Sequence, residues 1–200
     1  MQRLVFSGHI AGFGTDAGVR FVIGAWHSSP FGRFADVMVQ TRDDTRILLA
    51  PSAEIAEFVS ATYSFDEIRV APVAADLDDD RLRVHTDDLD VTVRLGGAAR
   101  FDGLLRLVPA PLARAPWWLR LINPVAAVLV PGVQTAGSAG NGRREYYGVR
   151  RTRQIDSVSG TFGGITLGGP ADLHPPVRFG FSSAPTDPQL VTVTTTIDLP

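Results

Sequence analysis

Apolar and polar residues alternate over Arg81 to Val84 and again over Leu89 to Leu95: Leu82 and Val84 share one face of the first strand, and Val91, Val93 and Leu95 share one face of the second. Arg83, Asp90, Thr92 and Arg94 take the opposite faces. A two-residue period sends successive side chains to opposite faces of a strand and cannot place one apolar face on a helix. The apolar-polar pattern returns at Val191-Thr192-Val193-Thr194 and ends at Ile197. The residues that would fill exposed helix positions are scarce. The chain has no Lys and only four Glu, against 20 Gly and 14 Pro. These features predict an all-β, mainly antiparallel chain.

The 200 residues suit one domain, and 44% hydrophobic with 20% charged residues supports a real core. Expected strands are Arg3 to Ile10, Val19 to Trp26, Ala35 to Thr41, Arg46 to Leu49, Phe65 to Val73, Arg81 to Val84 and Leu89 to Leu95. Leu104 to Val108, Arg144 to Ile155, Gly160 to Leu167, Val177 to Phe181 and Leu190 to Ile197 complete the set. Gly12 to Gly18 reads as a turn. The clearest helix follows Ser52, a candidate N-cap, with Ile55, Phe58, Val59 and Thr62 on one face. The fold expected is a single β-barrel or two-sheet sandwich of about ten strands with one or two short helices, over residues 1–200.

Residues 109–133 break the strand pattern. They are apolar, hold Trp117 and Trp118, and carry Pro109, Pro111, Pro116, Pro124 and Pro131. Proline cannot donate to a central sheet ladder, so this segment is expected outside the sheet as a cover. A short helix could start with Pro116 at its first position. Arg120, Asn123 and the prolines interrupt the stretch from Trp117 to Val133, which is too short and broken to span a membrane. The N-terminus shows no apolar signal segment, so a cytoplasmic location is expected. The use of Arg to the exclusion of Lys, with abundant Ala, fits a GC-rich bacterial origin.

Composition closes several chemistries. Without Lys there is no imine to a carbonyl substrate and no phosphate-loop lysine. Without Cys there is no thiol nucleophile and no Cys-ligated metal. His9, His27, His85 and His174 show no metal-ligand spacing, and no dinucleotide or nucleophile-elbow motif occurs. No metal or cofactor is therefore expected. Residues 34–102 carry 15 acids and seven Arg, whereas residues 103–160 carry eight Arg and two acids. The Arg-rich stretch Arg143 to Arg153 is expected as a strand. Alternation puts Arg143, Glu145 and Tyr147 on one face and Arg144, Tyr146 and Gly148 on the other. That split argues against specific nucleic-acid binding.

The function expected is binding of a small apolar or amphipathic molecule with an anionic head in a β-barrel cavity. Trp26, Phe34, Trp117 and Trp118 would line that cavity, with Arg114 or Arg120 as anchor. The alternatives are an enzyme doing acid–base chemistry on an apolar substrate, with His27, Asp36 or Tyr147 as candidates, or self-association as a homodimer through 109–133.

Overall fold

A computed structural model describes residues 2–130 and 132–200. Pro131, one of the five prolines of the cover segment, lies outside the described residues. In chain order the elements are β1 (Arg3–Thr15), β2 (Arg20–Ser28), β3 (Phe34–Gln40), β4 (Arg46–Ala50), α1 (Ala53–Ser60), β5 (Glu67–Val70), β6 (Ala74–Leu77), β7 (Arg81–His85) and β8 (Leu89–Ala98). Then come α2 (Asp102–Arg106), α3 (Ala110–Ala113), α4 (Pro116–Leu129), β9 (Ala136–Ser138), β10 (Arg144–Phe162), β11 (Ile165–Thr166), β12 (Pro170–Ala171) and β13 (Gln189–Asp198).

All strands belong to one sheet, whose main path runs β5-β4-β3-β2-β1-β13-β10-β8-β7-β6. Every pairing is antiparallel except β4 with β5, which α1 joins as a crossover. The sheet curls into a half-barrel. β5 and β6 end the path without pairing to each other, so the barrel is open along one side. The all-β, mainly antiparallel character follows the sequence pattern; ten strands form the main path and three more pair beside it, and the four α-helices exceed the one or two expected.

The two faces of β1, β2 and β3 go to different places. Ala11, Phe13, Phe21, Ile23, Val37 and Val39 pack with Leu82, Val84, Val91, Val93, Val158 and Phe162 from the far arm of the sheet. This fills the space between the arms with a dry core. The alternate residues Ile10, Val22, Gly24, Trp26, Phe34, Asp36 and Met38 face away from it and line a cavity. The cavity therefore lies on the face of these strands turned away from the packed core. A strand buried on both faces reads as a nearly continuous apolar run, as Val19 to Trp26 does.

Local chemistry explains the other departures. Leu104 to Val108 is not a strand: Asp102–Arg106 is helical, since Leu104 and Leu105 already break the two-residue period. Val177 to Phe181 forms no strand because Pro175 and Pro176 remove two ladder donors just before it. Val177 and Phe179 nevertheless bury against Leu173. β1 runs through the expected turn to Thr15. Ser52 caps α1, accepting the Ile55 N–H at 3.3 Å. Among the described residues no helix is long and apolar enough to cross a membrane.

Candidate active site

The cavity has a volume of about 420 Å³, within the range of small-molecule sites. Its floor is the face of β1, β2, β3, β10 and β13 turned away from the packed core. Phe58 and Val59 of α1, Leu104 and Leu105 of α2, and Trp118, Ile122 and Ala126 of α4 close it. A bulge sustains this face along β10: Val149 pairs with Val193 and Arg151 with Thr192, which leaves Arg150 extra. Because of that extra residue, Glu145, Tyr147, Val149 and Thr152 all line the same cavity.

The walls are overwhelmingly apolar, and one polar cluster stands out. The Tyr63 hydroxyl donates to Glu145 Oε1 at 2.5 Å and lies 2.8 Å from the Tyr147 hydroxyl. Glu145 is fully buried. Burial pushes its carboxyl up to about 7, opposed by the Tyr63 and Tyr147 hydroxyls and then by the Arg143 charge. Burial also raises both tyrosines well above their ordinary value, with the Glu145 charge as the next cause. Near neutral pH the proton that comes and goes in this cluster therefore belongs to Glu145, and the tyrosines stay neutral. Arg143 is held beside it, donating to Phe58 O at 2.8 Å and Thr62 Oγ1 at 2.6 Å and stacking over the Phe58 ring.

A second buried carboxyl lies on β3. Trp26 Nε1 donates to Asp36 Oδ1 at 2.9 Å. Burial pushes Asp36 up to about 6 against that bond. Gly24 stands between them across the sheet, and a Cβ there would lie 2.5 Å from Asp36 Oδ1 and 2.6 Å from Trp26 Nε1. The close approach of the pair thus requires glycine. Asp36 is near enough to contribute to the raised Tyr147, after burial and Glu145.

Five buried side-chain polar atoms lack a hydrogen-bond partner among the described residues: Trp118 Nε1, Glu145 Oε2, Thr152 Oγ1, Ser183 Oγ and Thr195 Oγ1. All five belong to residues that line this cavity. Buried polar atoms of this kind are ordinarily satisfied, by ordered water among other partners. A more polar recess of about 430 Å³ adjoins the cavity, sharing Phe101, Leu129, Val130, Pro185 and Gln189 with it, and holds Arg100, Asp156 and Asp187.

The candidates read from the sequence divide as follows. Trp26, Phe34, Trp118, Asp36 and Tyr147 line the cavity. Trp117 does not; it is 61% exposed on the outer side of α4. No Arg or His is among the lining residues. Arg114 is exposed and bonds Ala110 O, and Arg120 bonds the Tyr146 hydroxyl and covers its ring. His27 lies at an exposed strand end, its ring 6.5 Å from that of His9. Burial, then the neighbouring His27, lowers the pKa of His9. Among the described residues no group of three or more His, Asp or Glu could hold a metal ion. Sequence reasoning missed Tyr63 and Glu145. A signal for Glu145 was present: it is the one acid between residues 103 and 155, and it shares a strand face with Tyr147.

No family model and no curated protein matches the chain. Among solved structures, the chain is similar to acetoacetate decarboxylase from Legionella pneumophila subsp. pneumophila str. Philadelphia 1. That likeness has 12% identity and a TM-score of 0.43, and covers 100% of this chain and 85% of that one. A second acetoacetate decarboxylase structure shows 11% identity and a TM-score of 0.46, over 98% of this chain and 87% of that one. Neither likeness transfers a residue or an activity.

Proposed function

We propose that this protein is an enzyme that moves protons on an uncharged, largely apolar carbonyl compound held in the cavity. The observation that carries the reading is the hydrogen-bonded chain Tyr147–Tyr63–Glu145, ending in a carboxyl whose pKa sits near neutrality. A general base works best when its pKa lies near the operating pH. All three residues line the cavity, but Glu145 is fully buried while Tyr147 keeps some exposed surface, and this reading makes Tyr147 the member that meets the substrate. In the forward step the Tyr147 oxygen takes a proton from the carbon beside the carbonyl. The Tyr147 hydroxyl proton passes to Tyr63, the Tyr63 proton passes to ionised Glu145, and the substrate is left as its enolate. The return step reverses each transfer, so no oxidant or co-reactant is consumed. The absence of cationic groups from the lining favours a neutral substrate over one with an anionic head. Decarboxylation through a lysine imine is closed to a chain without lysine.

Deuterium uptake tests this reading. Medium-chain methyl ketones incubated with the protein in D₂O should exchange the protons beside the carbonyl faster than in buffer. Glu145→Gln and Tyr147→Phe should each lower the rate by about 10²- to 10⁴-fold, the usual worth of acid–base catalysis. Ketones that bind but exchange at the buffer rate would refute it. That outcome would favour the second reading, a carrier of apolar molecules, which the apolar walls alone support.

A further inference from the structure

Helix α4 is apolar nearly all round. Trp118, Ile122 and Ala126 turn to the cavity, whereas Trp117, Leu121 and Val128 turn outward and are 61%, 64% and 80% exposed. An all-apolar helix ordinarily lies buried. Seven of the eleven large apolar side chains left exposed among the described residues fall between Leu104 and Leu129. Leu104, Val125 and Leu129 are at once exposed and part of the cavity wall, so the apolar surface continues without a break into the site.

Charge distinguishes what covers this face. Residues 103–144 carry five Arg and no acid. Arg106, Arg114 and Arg120 are exposed around the patch, and nearby Asp102 is buried and paired with Arg151. Of the other acids, Asp198 lies near Arg120 but is buried and paired with Arg3, and Asp156 and Asp187 line the polar recess beside Leu129, at the opposite end of α4 from Trp117. A second copy docked through the same patch would bring like charges together, because a twofold interface sets each surface against itself. An anionic lipid bilayer supplies both an apolar layer for Trp117, Leu121 and Val128 and negative headgroups for the arginines.

We propose that the α2–α4 face docks on anionic membrane surfaces, so that apolar molecules pass between the bilayer and the cavity through the gap bounded by Leu104, Val125 and Leu129. The docking does not depend on whether the cavity performs chemistry.

Co-sedimentation of the full chain with vesicles tests it, using phosphatidylcholine alone and phosphatidylcholine mixed with phosphatidylglycerol. Wild-type protein should bind the anionic vesicles at least about tenfold more tightly than the neutral ones, with weaker binding at high salt and a blue shift of tryptophan emission. The exposed double substitution Leu121→Glu with Val128→Glu should lose binding at least about tenfold while melting within a few degrees of wild type. Arg106→Gln with Arg114→Gln should erase the preference for anionic vesicles. Absence of vesicle binding by the wild type overturns the proposal, as does undiminished binding by the Glu variant. So does a lipid-free dimer in sedimentation that the same Glu variant dissociates, since the patch would then belong to a second copy.

Discussion

The Tyr63 hydroxyl sits 2.5 Å from Glu145 Oε1, although 82 residues separate the two in the chain. This bond favours the ionised carboxyl, so its loss moves the equilibrium the other way. Tyr63→Phe should raise the Glu145 pKa further above 7, read as the pH at which the carboxylic-acid infrared band disappears. If ketone exchange depends on ionised Glu145, its pH profile should rise through about 7 in wild type, and Tyr63→Phe, which breaks the proton relay, should abolish the exchange at every pH. An unchanged band midpoint would mean that this hydrogen bond does not control Glu145.

Glu145 should also leave a mark on stability. Its folded pKa is raised, from 4.5 to about 7, so the folded state holds the proton more tightly than the unfolded chain. Its contribution is therefore fully present below about 4.5 and is lost as pH rises through about 7. Glu145→Gln keeps a neutral hydrogen-bonding group and removes the ionisation. Relative to wild type, the variant should gain as pH rises from 5 to 8, by about 3 kcal/mol at most for a shift of this size. Denaturant unfolding at the two pH values reads the difference directly, and a constant gap between the proteins would contradict the assignment.

The Asp36–Trp26 pair depends on the space left at Gly24. Gly24→Ala should cost about 1–3 kcal/mol, as overpacking does. It should also alter Trp26 emission, because the indole must move away from Asp36. A variant with wild-type melting and emission would show that the sheet accommodates a methyl group there without disturbing the pair.

Adjacent tryptophans should respond in opposite ways. Trp118 lines the cavity and its Nε1 lacks a partner, whereas Trp117 points outward. Trp118→Ala should lower stability by about 1–3 kcal/mol, less than for a fully buried Trp, and change the uptake of an apolar fluorescent probe. Trp117→Ala should leave both nearly unchanged and weaken vesicle binding. Equal effects on probe uptake would refute the division of α4 into an inner and an outer face.

Much of the sheet was legible because strand periodicity is local. Leu82, Val84, Val91 and Val93 declare their common face within a few residues, and all four enter the core. The prolines around α4 kept that segment out of the ladder, as their missing donors require. Alternation alone also put Glu145 and Tyr147 on one face of β10. It could not say whether that face met water, the core or a cavity, because both faces of this sheet are covered and the strands carry apolar residues on each. Nor could it supply Tyr63, which reaches the cluster from the loop after α1 through a contact no local pattern encodes. Arg114 and Arg120 looked like anchors because they flank the tryptophans in sequence. Arg120 is turned from the cavity by its place around the α4 axis and bonds the Tyr146 hydroxyl, and Arg114 ends α3 and bonds Ala110 O. The chain's own pattern thus determined most strands and the absence of lysine or thiol chemistry. The curl of the sheet and the docking of α1, α2 and α4 decided which buried face became a site, since burial there raises carboxyl pKa values and leaves polar atoms unpartnered.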